Sequence, residues 1–372
     1  MCKYNSCPLE LKQEHYHEEA VRIKNFNSNK ELNALETREK KIIMESKPVK
    51  LMAILTRRCN LRCIMCPRVR DEEFNLPFDL TKKLYTFFPY LEWVSWQGGE
   101  VFLVDYFKEL FLETAKYPHI KQHIMTNGLL INREWAKIFS QSNVDLLYSI
   151  DGVTKDIYEF IRHGAKFEDL IKRLELINEF RGKYGSTNRM DINAIVMRCN
   201  YKTLSLFPDF CRKYNFTSLN LNFLCHSTLP EQDILINPDF NALSYLKEII
   251  PQIRNRCREY NIGFKCLFEF RLESLWQNHS DSNFTTGSCL VKEHENSTSD
   301  YCIYPWTMAV IEPNGKVKPS CECELSIGDL KENTLEEIWN GRNMQLYRSM
   351  ISNKRSKEIC SRQCLIEKNN DA

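Results

Sequence analysis

From Lys50 onward, short apolar runs alternate with amphipathic segments, and this alternation strongly limits how the chain can fold. The apolar runs have the length and composition of strands, and the segments between them have the 3.6-residue period of helices. Strands that alternate with helices form a parallel sheet wound by right-handed crossovers. The sequence therefore predicts an α/β fold, a partial (β/α)6 TIM-like barrel, with strands at Val49–Leu55, Leu91–Trp96, His119–Thr126, Leu146–Ile150, Met190–Met197 and Ser218–Leu224.

Changes in composition divide the chain into three predicted regions. Residues 1–48 are rich in charged and amide side chains and predict a helical cap or a partly ordered arm. Residues 49–276 hold the predicted barrel. A polar stretch rich in Ser and Asn, Gln277–Thr286, is typical of a domain boundary. Residues 287–372 then predict a small cysteine-rich α+β module.

Charge and hydropathy exclude several classes of partner. The 51 basic and 49 acidic residues give a net charge of +2, which provides no overall field for nucleic acid or an anionic membrane. No apolar run reaches the ~20 residues of a membrane helix, and the N-terminus lacks the apolar region of a signal peptide. We therefore expect a cytoplasmic protein.

Sixteen cysteines are many for a chain of this kind. In a reducing compartment, metal ligation or redox chemistry explains them better than disulfides do. Some stand singly and far from any other cysteine, and we expect these to be small buried hydrophobic residues. They are Cys199, Cys211, Cys225, Cys257 and Cys266.

A cysteine triplet follows the first predicted strand directly. Cys59, Cys63 and Cys66 form a C-x3-C-x2-C pattern in residues 57–66, which we call the cluster loop. Thiolate is the ligand that iron–sulfur clusters select, and three thiolates leave one iron of a four-iron cluster open to another ligand. A structural zinc site is a weaker alternative, because it needs a fourth ligand that this loop lacks.

The triplet, in this position, resembles the signature of the radical S-adenosylmethionine (SAM) superfamily. The resemblance implies that SAM chelates the open iron of a [4Fe-4S] cluster and is cleaved reductively to a 5′-deoxyadenosyl radical that abstracts hydrogen from the substrate. It also implies a reducing partner such as flavodoxin or ferredoxin. Met65 stands where the family commonly has an aromatic residue.

Three further motifs, WQGGE, MTNG and YSIDG, end the second, third and fourth predicted strands, where β/α barrels bind ligands. Glycines allow close approach of the backbone to a ligand, and a glutamate can accept a hydrogen bond from an amino group. Each motif alone could be an ordinary turn, and an arginine on the following helix could be a solvated charge. The resemblance implies SAM contacts at Gly98, Gly99, Glu100, Ser149, Asp151, Arg162, Asn193 and Val196.

The C-terminal region predicts a hairpin turning at Pro313-Asn314-Gly315 and a helix, Leu335–Asn340, opened by a Thr334/Glu337 capping box. It has too few apolar residues to build a large core alone, so its cysteines argue for a second metal centre. The whole stretch resembles the SPASM or twitch extension of radical SAM enzymes. This implies one auxiliary [4Fe-4S] cluster, or two. The economical ligand set is Cys302, Cys321, Cys360 and Cys364, with Cys323 an alternative to Cys321, participation of Cys289 open, and four-cysteine zinc the rival interpretation.

The sequence does not identify the substrate. Residues 1–48 are short and polar and do not resemble the winged-helix leader-peptide domain of many peptide-maturing relatives. We therefore expect oxidation or epimerisation of a small polar metabolite, such as a sugar or aminocyclitol, with maturation of a ribosomal peptide as the alternative. A non-catalytic iron–sulfur or zinc protein is the alternative from another class.

Overall fold

The structure is a computed structural model that describes residues 24–66, 74–224, 229–235, 240–269, 272, 301–321 and 323–355. Its strands belong to one sheet. The bounds are β1 Lys50–Thr56, β2 Trp93–Gly98, β3 Lys121–Thr126, β4 Val144–Ser149, β5 Met190–Val196, β6 Ser218–Phe223, β7 Gly263–Cys266, β8 Met308–Ile311, β9 Lys316–Lys318 and β10 Gly328–Asp329. The spatial order is β10-β9-β8-β1-β2-β3-β4-β5-β6-β7, so the described sheet is open at β10 and β7.

Helices connect most of these strands. None of the described helices is both long enough and apolar enough to cross a membrane. Their bounds are α1 24–38, α2 Phe78–Lys82, α3 Phe107–Ala115, α4 Arg133–Gln141, α5 Lys155–Ile161, α6 Phe167–Tyr184, α7 Phe207–Lys213, α8 Phe240–Glu259, α9 Tyr304–Thr307, α10 Leu335–Trp339 and α11 Arg342–Ser352.

The strands β1 to β7 are parallel to their neighbours throughout. Parallel neighbours need crossover connections, and the helical segments between these strands provide them. The six strands predicted from the sequence are confirmed, with ends that differ by two residues or fewer. The seventh, β7, was not predicted, because its four residues, Gly-Phe-Lys-Cys, carry no continuous apolar run.

The two faces of the parallel sheet differ in exposure. Alternate residues such as Leu146 and Ile192 are buried in one core with the helices, for example with Ile177 of α6. The residues between them point to the opposite side and stay partly exposed. We call this side the open face; its partly exposed residues on β2 to β6 include Gln97, His123, Met125, Leu147, Ser149, Asn193, Ile195, Asn220 and Asn222.

The C-terminal hairpin extends the same sheet. Strand β8 pairs in parallel with β1, from Lys50 opposite Met308 to Ala53 opposite Ile311. The predicted turn is confirmed, with Gly315 at a φ of 90°. The predicted capping box at the start of α10 is confirmed as well, since the side chains and backbones of the two capping residues bond reciprocally. The strand that leads into the cluster loop therefore has a C-terminal strand as its direct neighbour.

The N-terminal segment packs against this C-terminal region. Asn33 of α1 donates a hydrogen bond of 2.7 Å to the carbonyl of Trp306, and the Trp306 indole donates one of 2.8 Å to the carbonyl of Lys41. The indole of Trp339 donates to the carbonyl of Ser46, also at 2.8 Å. Residues 24–48 therefore pack as a cap on the C-terminal region, and residues 1–23 of the predicted N-terminal region lie outside the described residues.

A buried arginine connects the N-terminal cap to α9 and α10. Arg348 of α11 has no exposed surface. Its guanidinium donates to the carbonyl of Pro305 at 2.9 Å, to the carbonyl of Ile42 at 3.0 Å and to Oδ1 of Asn340 at 3.0 Å. It also lies over the ring of Trp339, 4.6 Å from the centroid. Burial lowers the pKa of Arg348 to about 9.

Candidate active site

The cluster loop leaves β1 at its C-terminal end and is held by backbone hydrogen bonds to the end of α5. The amide of Arg62 donates to the carbonyl of His163 at 2.9 Å, and the amide of Ile64 donates to the carbonyl of Ile161 at 3.0 Å. These two bonds tie the cluster loop to the end of α5 and the residues that follow it, in the segment after β4. The loop is therefore fixed at the edge of the sheet where the sequence motifs were expected to converge.

The three cysteines of the cluster loop have different environments. Cys63 is buried, whereas Cys59 and Cys66 are partly exposed. The amide of Leu61 donates to Sγ of Cys59 at 3.4 Å, and Asn127 Nδ2 lies 4.0 Å from the same sulfur. Within the described residues, no three Cys, His, Asp or Glu side chains lie close enough to hold one metal ion.

Two glycines of the WQGGE motif pack closely against the end of β1 and the start of the cluster loop. A Cβ added to Gly98 would lie 2.4 Å from the carbonyl oxygen of Thr56, and one added to Gly99 would lie 2.0 Å from that of Arg58. The amide of Gly99 also donates to the carbonyl of Thr56 at 2.7 Å. The sequence suggested that these glycines admit a ligand. In the structure, both glycines allow close approach of the backbone of residues 56–58, and their contact with SAM stays a prediction.

Glu100 is fully buried and joins the ends of β2 and β3. Its carboxylate accepts hydrogen bonds from the Thr126 hydroxyl and from the Asn127 amide, each at 2.9 Å. Burial raises the pKa of Glu100 to about 7, although these hydrogen bonds oppose the rise. The Asn127 side chain continues the connection, since Nδ2 donates to Oδ1 of Asn60 at 2.8 Å. The contact of Glu100 with the SAM amino group stays a prediction.

Asp151 and Arg162 form a buried ion pair beside the cluster loop. The guanidinium lies 2.6 Å from the Asp151 carboxylate and donates to Sγ of Cys63 at 3.6 Å. Burial alone would lower the pKa of Arg162, but Asp151 and Cys63 raise it above its usual value. Burial raises the pKa of the Cys63 thiol, and Arg162 opposes that rise. Arg162 is therefore not a solvated helix charge, and the cation next to Cys63 favours the thiolate that metal binding needs.

Asn193 and Val196, both predicted to contact SAM, point to opposite faces of β5. Asn193 lies on the open face and accepts a hydrogen bond from Nδ2 of Asn222, whereas Val196 is 4% exposed and belongs to the core on the helix side. Ser149 lies on the open face beside Asn193 in the strand register. The structure thus brings Ser149 and Asn193 together and separates Val196 from them.

The C-terminal cysteines are described only in part. Cys302 is buried, Cys323 is partly exposed and Cys321 is exposed. Cys289, Cys360 and Cys364 lie outside the described residues. The ligand set of the auxiliary centre therefore stays a prediction.

Of the cysteines that stand singly, two are buried as predicted and two are only partly buried. Cys211 and Cys257 are buried, and Cys199 and Cys266 are partly buried. Burial raises the pKa of all four thiols, which makes them poor nucleophiles. Cys225 lies outside the described residues.

Comparison with known families identifies two regions of the chain. Residues 53–192 match the model of the radical SAM superfamily, and residues 302–365 match the iron–sulfur cluster-binding domain called SPASM. The chain belongs to the radical SAM superfamily. As a radical SAM enzyme with a SPASM domain, it binds SAM at a [4Fe-4S] cluster and carries auxiliary iron–sulfur chemistry in its C-terminal region. These family matches favour a catalytic role over a non-catalytic one, and an auxiliary iron–sulfur centre over a zinc-only centre in the C-terminal region.

Relatives of this radical SAM enzyme include maturases. It is 24% identical over 309 residues to the cysteine-type anaerobic sulfatase-maturating enzyme of Clostridium novyi, covering 76% of each chain. It is 28% identical over 177 residues to the mycofactocin maturase MftC of Mycobacterium ulcerans, covering 46% of each chain. Among solved structures, Streptococcus suis SuiB is similar with a TM-score of 0.63 at 18% identity, covering 98% of this chain and 80% of SuiB.

Sequence reasoning missed the polar contacts between the site motifs. Asn127 joins Glu100 to the cluster loop, and the only available signal was its position in MTNG at a strand end. The pairing of Asp151 with Arg162 was also missed, because the sequence assigned both residues separately to SAM. In the structure, one is the counter-ion of the other.

Proposed function

We propose that this radical SAM enzyme modifies a peptide or protein substrate, in the manner of a maturase. The observation that carries the proposal is the similarity to a sulfatase-maturating enzyme, which extends over 309 residues and covers 76% of each chain. The names of the relatives favour this alternative over the small polar metabolite that the sequence led us to expect.

The chemistry would start at the cluster loop. When bound, the reduced cluster and SAM supply a 5′-deoxyadenosyl radical that abstracts hydrogen from an unactivated carbon. Cys59, Cys63 and Cys66 would hold the cluster, and Arg162 would favour the thiolate at Cys63. The buried Asp151 balances that cation, so the charge next to the cluster does not require water.

The open face provides room and chemistry for a substrate below this edge. Apart from Asp191 near the N-terminal end of β5, its partly exposed polar side chains on β5 and β6 are the amides Asn193, Asn220 and Asn222. Such uncharged groups both donate and accept hydrogen bonds, as peptide groups do. The charged residues of β4 and β5 near their N-terminal ends are already paired, Asp145 with Lys121 and Asp191 with Arg189.

The proposal can be tested with enzyme reconstituted under anaerobic conditions. We would incubate it with SAM, dithionite and each short peptide encoded next to its gene, and follow peptide mass and 5′-deoxyadenosine. A change in peptide mass that accompanies 5′-deoxyadenosine formation is the expected result, with a variant lacking the three cluster-loop cysteines as control. Turnover of a sugar or cyclitol from the same gene neighbourhood, without turnover of any peptide, would contradict the proposal.

A further inference from the structure

A chain of three polar side chains crosses the open face below the cluster loop. Gln97 Nε2 lies 2.9 Å from Oγ of Ser95, and that oxygen lies 3.2 Å from Nδ1 of His123. Ser95 and His123 are direct partners in the register of β2 and β3. Gln97 immediately precedes the two glycines of WQGGE. The series of hydrogen-bonded side chains therefore begins at the SAM-binding edge and leads into the barrel.

The positions of the protons follow from the burial of Ser95, which has no exposed surface. The amide nitrogen of Gln97 can only donate, so it occupies a lone pair of the Ser95 oxygen. A buried hydroxyl proton needs an acceptor, and Nδ1 of His123 is the remaining partner of Oγ. Nδ1 therefore accepts, and the neutral ring carries its proton on Nε2.

His123 is also fixed in orientation and charge. Its ring stacks on Trp93 with centroids 5.8 Å apart. Burial lowers the pKa of His123 to about 4, against the effect of Asp145 and in the same direction as that of Arg189 and Lys121. The ring is thus neutral at physiological pH, and Nε2–H is a fixed uncharged donor.

Nε2 of His123 remains available to a ligand. It has no hydrogen-bond partner among the described residues, and it is not one of the buried polar atoms that lack a partner, so it keeps some accessible surface on the open face. His123 lies three residues before Thr126 at the end of β3, which places it about 10 Å below the edge that carries the cluster loop. A group bound there belongs to the substrate portion that reaches into the barrel.

We propose that His123 is a substrate-binding residue whose Nε2–H donates to an uncharged acceptor, the carbonyl oxygen of a substrate peptide group. Ser95 and Gln97 are positioning residues that set the tautomer. The choice of a peptide carbonyl rests on the proposed function, whereas the donor itself rests on the hydrogen-bonded chain. A neutral, oriented donor selects a carbonyl over an ammonium or another N–H group, which it would repel.

The first test uses histidine nitrogen NMR on the oxidised holoenzyme, with His123 assigned by comparison with His123→Gln. We expect an Nε2-protonated neutral ring from pH 8 to pH 5, and a mixture of tautomers in Ser95→Ala. N-methylacetamide, a minimal peptide group, should shift the Nε2 signal. A ring protonated on Nδ1, or an Nε2 signal that the probe leaves unmoved, would overturn the proposal.

The second test separates binding from structure by kinetics with the peptide identified above. His123→Phe keeps the stack on Trp93 but removes the donor, so KM should rise roughly 3- to 10-fold, the effect of losing one hydrogen bond, and kcat should change less. His123→Gln, which restores an N–H donor, should recover part of the loss. Equal KM values in wild type and His123→Phe would refute the binding role. If no peptide is a substrate, the proposed function fails, and the NMR result still decides whether His123 is a donor site.

Discussion

Replacing Arg348 by Met should weaken the packing of the N-terminal cap against the C-terminal region. The guanidinium is the donor to two backbone carbonyls, those of Pro305 and Ile42, whereas Asn340 Oδ1 keeps a second donor in the amide of Met44. Each buried carbonyl without a partner costs about 1–3 kcal/mol. Removing a desolvated cation offsets part of this cost, so we expect the stability of the packed cap to fall by about 2–4 kcal/mol.

Hydrogen exchange resolves this loss better than a global melt, because a protein of this size does not unfold in one step. Amides of residues 42–48 that are protected in the wild type should exchange about 30- to 700-fold faster in Arg348→Met, since 1.4 kcal/mol corresponds to a factor of ten. Arg342→Met provides the matched control, because Arg342 is an exposed arginine on the same helix. Similar exchange of these amides in both variants would refute the role assigned to Arg348.

Three other predictions concern the site. Replacing the three cluster-loop cysteines by Ala should remove about four irons and all 5′-deoxyadenosine formation, while iron in the SPASM domain is retained; iron analysis and SAM cleavage check this. Gly99→Ala should lower the melting temperature and iron content because its Cβ would meet a backbone oxygen. Gly182→Ala is the control: Gly182 lies in the last turn of α6 with nothing within 4 Å of an added Cβ, so this change should stabilise the protein by at most about 1 kcal/mol. Burial raises the pKa of Glu100 from 4.5 to about 7, so the folded protein keeps a proton that the unfolded chain releases. Stability should fall by up to about 3 kcal/mol as pH rises through this window, and melting curves of Glu100→Gln should lack this dependence.

The parallel sheet and the cluster loop could be predicted because their signals are local. Strands β1 to β6 are apolar or alternating runs, and the cysteine triplet lies within eight positions of one loop. The polar contacts could not be predicted in the same way. Asn33 bonds to a residue 273 positions away, and a charged or amide side chain on a helix is usually solvated.

The same limit applies inside the site. Asp151 and Arg162 are close in sequence, but their pairing depends on how α5 folds back over the cluster loop, which no periodicity encodes. No sequence pattern marked His123, because its role depends on the register of β2 against β3. Val196 was grouped with Asn193 by resemblance, although a spacing of three along a strand places two side chains on opposite faces.

The pairing of β1 with β8 also has a consequence for synthesis of the protein. Lys50 and its partner Met308 are 258 positions apart, so at about 5–20 residues per second the ribosome needs roughly 13–50 seconds after β1 to produce its outer neighbour. During this interval the strand that carries the cluster loop has one edge without its final partner. An open parallel edge pairs readily with other chains. Nascent chains of this enzyme are therefore most prone to aggregate before β8 emerges, and slower translation of the segment between β7 and β8 should lower the soluble yield.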